Sequence, residues 1–408
     1  MGWVTMNRVL LLSIAAVLVT AGCIDTVTGG ETLDPASIDA TRPPTQTGDV
    51  VAFDLYLQMT SVQIEPGVSV QAWAFGTSPE GPFTVPGPEL RVTEGQLVRV
   101  TFHNQHNMIH TIHWHGLHVP WNMDGVPWIS QEPIPPGESF TYEFVAGPAG
   151  THMYHCHVDA KHHVDMGMYG LFVVEPREDE IEEKEVPFDR EASMLLDEWD
   201  KDHVHNSNGL GQNAGFNKTG NPVHTVETGE QQVRDTFNRP PNPTAEDNAG
   251  STSPFQDERG WYPMTFPAYE PEYESYLING KAFPLTEQLP IADGERLKVR
   301  MGNIGVQWHA MHLHGHSFLV THKDGYKLDS PYRADTLSIG PGERYDILID
   351  GVNPGVWPFH DHGGQGMTND HISPGGMFTL LVYEQYADQA GTQQPDGASG
   401  NMLGWYNR

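Results

Sequence analysis

Apolar and polar positions alternate in short stretches along this chain, and no long run holds the 3.6-residue period of a helix. Leu97–Phe102 (LVRVTF), Ser139–Phe144 (SFTYEF) and Leu171–Val174 (LFVV) are rich in β-branched or aromatic residues and bounded by Gly, Pro or Asn, which predicts strands. The pattern returns at Leu297–Met301, Tyr345–Ile349 and Phe378–Val382. Many short strands joined by Pro-Gly turns predict an all-β chain built from antiparallel Greek-key β-sandwiches. One stretch differs: Val9–Ala21 is almost wholly apolar, too short to span a bilayer comfortably, and has the layout of a secretory signal.

The strand pattern is duplicated. His110, His113 and His115 recur as His309, His312 and His314, each 199 positions later. Pro136-Gly137-Glu138 recurs as Pro341-Gly342-Glu343, and His155-Cys156-His157 as His360-Asp361-His362, each 205 positions later. A constant offset with one six-residue shift is the mark of a repeated module carrying a loop insertion. The first module is expected at 49–176, an acidic linker at 177–186, the second module at 187–386 and a polar tail at 387–408. Within the second module, 201–260 is rich in Asn, Gly, Pro and Thr and reads as an inserted loop.

Charge and the amino terminus narrow the setting. With 53 acidic against 22 basic residues the net charge is -31, which argues against nucleic acid as a partner. So acidic a surface matches proteins that stay soluble in brine. Val19–Cys23 (VTAGC) resembles a lipobox, so 1–23 is expected to be an export signal ending at a lipid-bearing Cys23. Residues 24–48 follow as a flexible tether. The expectation is an exported protein anchored by lipid at the outer face of the cell membrane. With two cysteines in the chain, one of them Cys23, no disulfide scaffold holds the fold.

Histidine carries the chemistry. The windows 103–118, 152–163, 309–322 and 360–371 hold 19 of the 22 histidines in 54 residues, where even scatter would place about three. His-x-His occurs at 113/115, 155/157, 312/314 and 360/362. On a strand, residues i and i+2 point the same way, so each pair offers two imidazoles on one face. Neutral imidazole suits copper, zinc, iron and nickel. Cys156, with His110 upstream and His163 and Met168 downstream, supplies two imidazoles, one thiolate and one weak thioether, the blue-copper set. Structural zinc sites that use sulfur generally take two or more cysteines, so zinc fits less well.

HTIHWHG (110–116), YHCHVDAKHHVDMGM (154–168), HAMHLHGHSF (309–318) and WPFHDH (357–362) together resemble the four copper-binding segments of the multicopper oxidases, a family of the cupredoxin superfamily. The resemblance implies two tandem cupredoxin-like domains and about four copper ions per chain by ligand counting. A type 1 copper would take His110, Cys156, His163 and Met168. A trinuclear centre would take His113, His115, His155, His157, His312, His314, His360 and His362, with His113 and His312 on its type 2 copper and the other six on its type 3 pair. Asp124 matches an acid that relays protons during oxygen reduction. The reaction implied is one-electron oxidation of a small reductant, laccase-like on phenols or a metal-ion oxidase on Cu(I), Fe(II) or Mn(II), coupled to reduction of dioxygen to water.

The chain departs from the larger members in three ways. It has two modules with the cysteine in the first, as in the two-domain subgroup, which forms homotrimers with each trinuclear centre at an interface. Asp361 replaces the thiolate in the second module, so His309, His371 and Met377 are expected to be a relic or packing residues. The interval from Cys156 to His163 is two residues longer than in laccases, while that from His163 to Met168 is the usual one, which favours His163 over His162. Copper nitrite reductase is the nearest alternative, but in that family an Asp stands where His113 stands and a small apolar residue where His157 stands. A copper carrier or store would leave the paired histidines without a purpose.

Overall fold

The computed structural model describes residues 43–201, 273–369 and 371–390. The expected signal, most of the tether, nearly all of the insertion and most of the tail lie outside these residues. Among the described residues no helix is long and apolar enough to cross a membrane.

The first half holds β1 (Val50–Glu65), β2 (Val68–Gly76), β3 (Phe83–Thr84), β4 (Leu90–Thr93), β5 (Leu97–Asn104), β6 (His113–His115), β7 (Ser139–Val145), β8 (Gly150–His155) and β9 (Tyr169–Glu175). They form two sheets, in the orders β3-β2-β1-β5-β7 and β4-β9-β8-β6. The second half holds β10 (Arg190–Trp199), β11 (Ser275–Ile278), β12 (Leu289–Ile291), β13 (Arg296–Asn303), β14 (His309–Leu313), β15 (Phe318–Lys323), β16 (Tyr326–Ala334), β17 (Thr336–Ile339), β18 (Arg344–Asp350), β19 (Val356–Asp361) and β20 (Phe378–Tyr383). Its sheets run β11-β10-β13-β18-β15-β16 and β12-β20-β19-β14-β17.

The alternation in the sequence explains the pairing. In β5 the buried positions are Val98, Val100, Phe102 and Asn104, every second residue, and they face the sheet opposite. Trp73, Phe75, Trp114, Tyr142, Phe144 and Phe172 fill the first core together with Cys156 and Met168. The duplication extends to register. β1 runs parallel to β5 with Leu57 opposite Asn104, and β10 runs parallel to β13 with Leu196 opposite Asn303. A 3-10 turn (Glu178–Glu180) and a short helix (Ile181–Lys184) occupy the expected linker, and a 3-10 helix at Glu384–Gln389 occupies the start of the expected tail.

The two halves are joined by apolar and ionic contacts. Met153, Leu171 and Val173 cluster with Leu195, Trp199 and Leu277. Beside them Thr151 donates to Asp346 Oδ1 at 2.5 Å, while Lys298 and Arg300 lie 3.1 and 3.3 Å from Asp346 Oδ2. All four are buried. Burial opposes charge on Asp346, but the two cations prevail and hold its carboxyl down at about 2.

Candidate metal centre

Strand β8 ends at His155, and Cys156 follows as the chain turns towards a six-residue helix, α1 (Ala160–Asp165). The Cys156 N–H donates to the Met168 carbonyl at 3.0 Å, which closes this loop on itself. Asp159, at φ 45°, enters the left-handed region just before the helix, and the His163 N–H returns to its carbonyl at 2.9 Å. That helical turn absorbs the two extra residues between Cys156 and His163. As a result His163, rather than His162, reaches the sulfur.

Cys156 Sγ lies 3.1 Å from His163 Nδ1 and 3.7 Å from His110 Nδ1, and the two nitrogens are 3.2 Å apart. All three residues are buried, and so is Met168. Burial pushes the Cys156 thiol up to about 12 and holds both imidazoles well below their ordinary value, neighbouring histidines adding to the effect. Two neutral imidazoles and a sulfur thus turn towards one another in a buried pocket. Such a soft, mixed donor set fits copper.

On the other side of the Cys156 backbone lies a second group. His113 sits 5.2 Å from His155, 5.3 Å from His157 and 5.7 Å from His115, ring centre to ring centre. One nitrogen each from His113, His115 and His155 falls within 4.8 Å of the others. His113 Nδ1 donates to the Asp124 carbonyl at 2.8 Å, and His155 Nδ1 donates to the Cys156 carbonyl at 2.9 Å. Each Nε2 is therefore left as the donor atom for a metal. The hydrogen bond from His113 holds the Asp124 carboxyl below its usual range, and Oδ1 is 3.3 Å from the same ring. Burial, then the charge on Arg344 of the second half, lowers His115 to about 3.

The second half repeats the arrangement. His312 packs 4.9 Å from His314, 5.5 Å from His362 and 5.9 Å from His360. His312 Nδ1 lies 2.9 Å from the Asp335 carbonyl and His360 Nδ1 2.9 Å from the Asp361 carbonyl. Among the described residues no ring contact joins the first four histidines to the second four. His314 and His362 are exposed, so the second set opens on the surface of the chain.

The place equivalent to the Cys156 pocket is closed. Asp361 N–H donates to the Met377 carbonyl at 2.9 Å, as Cys156 does to Met168. His309 lies between two carboxylates, 3.1 Å from Asp361 Oδ2 and 3.0 Å from Glu198 Oε2. Burial disfavours the charge, but the hydrogen bonds to Asp361 and Glu198 outweigh it and raise His309 to about 9. Met377 is buried in the core and His371 is exposed, on the surface. His309 is thus a packed ionic residue, with Glu198 as a partner that no local motif announced. Trp73 and His106 also went unmarked in the sequence. Trp73 packs 5.7 Å from His110 and 5.0 Å from His163, and His106 Nδ1 lies 2.9 Å from His110 Nε2. Neither belongs to a His-x-His pair, and Trp73 lies on another strand.

Known proteins resemble this chain along most of its described length. Two family models described as multicopper oxidase match residues 58–179 and 253–385. The multicopper oxidase MmcO of Mycobacterium tuberculosis is 29% identical over 276 residues, covering 67% of this chain and 48% of that protein. The chain thus spans about half the length of that curated relative. Among solved structures, the multicopper oxidase mgLAC is 33% identical with a TM-score of 0.63, covering 83% of this chain and 87% of that one. The blue copper oxidase of Nitrosomonas europaea is 31% identical with a TM-score of 0.64, covering 86% of this chain and 93% of that one.

Proposed function

This chain belongs to the multicopper oxidase family, and from that premise we propose that it oxidises a small reductant one electron at a time and passes the electrons to dioxygen. Bound copper supplies the redox chemistry, a type 1 ion accepting single electrons and a trinuclear centre reducing dioxygen to two waters. His110, Cys156, His163 and Met168 would hold the first. His113, His115, His155, His157, His312, His314, His360 and His362 would hold the second, and His113 and His312 would serve its type 2 copper.

The observation that carries the reading is the position of Cys156. Its sulfur faces His110 and His163, while its chain neighbours His155 and His157 turn their rings to His113. The peptide between them is a short covalent path that needs no moving part, and His155 is also tied to the Cys156 carbonyl. Asp124 is a carboxylate beside His113 and passes protons towards the oxygen-reducing side. The separation of the two histidine sets within one chain, and the exposure of the second, favour a homotrimer in which each first set meets the second set of a neighbour.

Phenols, or Fe(II) and Cu(I), are the reductants to test. Copper-loaded protein is expected to be blue, to hold about four copper ions per chain by ligand counting, and to consume oxygen with one of these donors. Cys156→Ser should abolish the colour and the turnover while leaving far-ultraviolet circular dichroism unchanged. Reduction of nitrite with no oxygen consumption, or turnover retained by C156S, would overturn the proposal.

A further inference from the structure

The Cys156 pocket and its closed counterpart occupy the same place in two copies of one fold, so each serves as a control for the other. In both, an asparagine ties down the loop leading to the first imidazole. Asn104 donates to the Met108 and Ile134 carbonyls at 2.6 and 2.9 Å and accepts from the His106 N–H at 3.0 Å. Asn303 donates to the Gln307 and Ile339 carbonyls at 2.6 and 3.0 Å and accepts from the Gly305 N–H at 3.0 Å. His106 and Gly305 are therefore equivalent, as are His110 and His309.

What meets Nε2 of that imidazole differs. In the second half Glu198 Oε2 takes it at 3.0 Å, and a Cβ on Gly305 would fall 2.1 Å from the same oxygen. In the first half the register of β1 on β5 puts Met59 where Glu198 stands, two residues beyond the Leu57–Asn104 pair. A thioether is a poor acceptor. The place is filled by His106, buried, with Nδ1 2.9 Å from His110 Nε2. Trp73 closes the back, 4.5 Å from the His106 ring and 5.7 Å from the His110 ring.

We infer that His106 is a positioning residue of the Cys156 centre: its Nδ1 accepts the Nε2 proton of His110, which fixes the tautomer and aims the His110 Nδ1 lone pair at the metal shared with Cys156 and His163. The inference rests on the copper reading above. In the second half the same imidazole meets a carboxylate from each side and is held as a cation, which donates no lone pair to a metal. A neutral acceptor keeps His110 a ligand and makes it a better donor, which favours the oxidised ion. The pairing of His106 with the retained thiolate, and of Glu198 with the lost one, follows from this difference.

The test is a redox titration of the blue absorption in full-length, copper-loaded protein carrying His106→Phe or His106→Asn. Phe fills the space and accepts nothing, whereas the Asn Oδ1 stands in for Nδ1. H106F is expected to shift the ratio of reduced to oxidised centre upward about tenfold at a fixed potential, which for a one-electron couple is about 59 mV. H106N should stay close to the wild type. H106F failing to take up copper while H106N turns blue would also support the acceptor role. An unchanged midpoint in H106F, an equal shift in both variants, or loss of the blue centre in both would overturn it. A wild-type protein that binds no blue copper would instead remove the reading on which the inference stands, before any variant is compared.

Discussion

Cys156 and Asp361 fill equivalent positions, and the exchange of sulfur for carboxylate decides what each pocket does. The thiol is buried with two neutral imidazoles, a donor set that can take a cation. The carboxylate has already recruited one, because His309 between Asp361 and Glu198 carries the charge itself. His309 has a folded value of about 9 against an ordinary 6.5, so its contribution to stability is fully present below about 6.5. That contribution is lost as pH rises from there through about 9. Urea unfolding of the protein over this range should therefore give a stability that falls with pH. Glu198→Gln removes one of the two groups that raise His309, so it should flatten the slope and cost about 3–5 kcal/mol near neutral pH.

At the scale of elements, two short pieces of chain aim the ligands. The helix α1 brings His163 back to the sulfur across a spacer of unusual length. A 3-10 turn at Trp121–Met123 delivers Asp124 and then Gly125, at φ 79°, against the strand that carries His113. A Cβ on Gly125 would lie 1.9 Å from the Ile112 carbonyl, and the φ itself is in the region that glycine alone visits freely. Gly125→Ala is expected to displace Asp124 and His113 together. Since a misplacement near 1 Å costs on the order of 100-fold in rate, oxygen uptake should drop by about that factor. The blue absorption at Cys156 should persist, which separates this outcome from general unfolding. The strands behind these turns were legible in the sequence because alternation is a local property. The helix was not, since a six-residue turn holding Lys161, His162 and His163 has no apolar period to read.

At the scale of the whole molecule, the halves are clasped by Thr151, Asp346, Lys298 and Arg300, yet their histidine sets do not meet within one chain. Under the proposed trimer, two defective chains should complement one another. His113→Ala leaves the second set whole, and His312→Ala leaves the first set whole. Each variant alone should show no oxygen uptake beyond a few per cent of the wild type, while both keep the blue colour. Co-refolded mixtures should regain a measurable fraction of activity, because some interfaces then join two intact sets. Oxygen uptake measured against the mixing ratio checks this, and a mixture as inactive as its components would count against shared sites.

The duplication, the strand alternation and the four His-x-His pairs belong to the sequence, because extended backbone turns residues i and i+2 to one face, even where His157, His314 and His362 fall just past the ends of their strands. The same local rule made the neighbours of Cys156 legible as a second set facing away from its sulfur. Only the tertiary structure decided between His162 and His163, since the length of a turn and its entry angle set that reach. It alone curled the loop after Asn104 so that His106 meets His110, which no regular period announces, and it brought Glu198 to His309 from over a hundred residues upstream, a contact between strands that leaves no spacing to read. It also held the two imidazole sets apart in a single chain, a consequence of how the sandwiches dock and not of any residue's neighbours along the backbone.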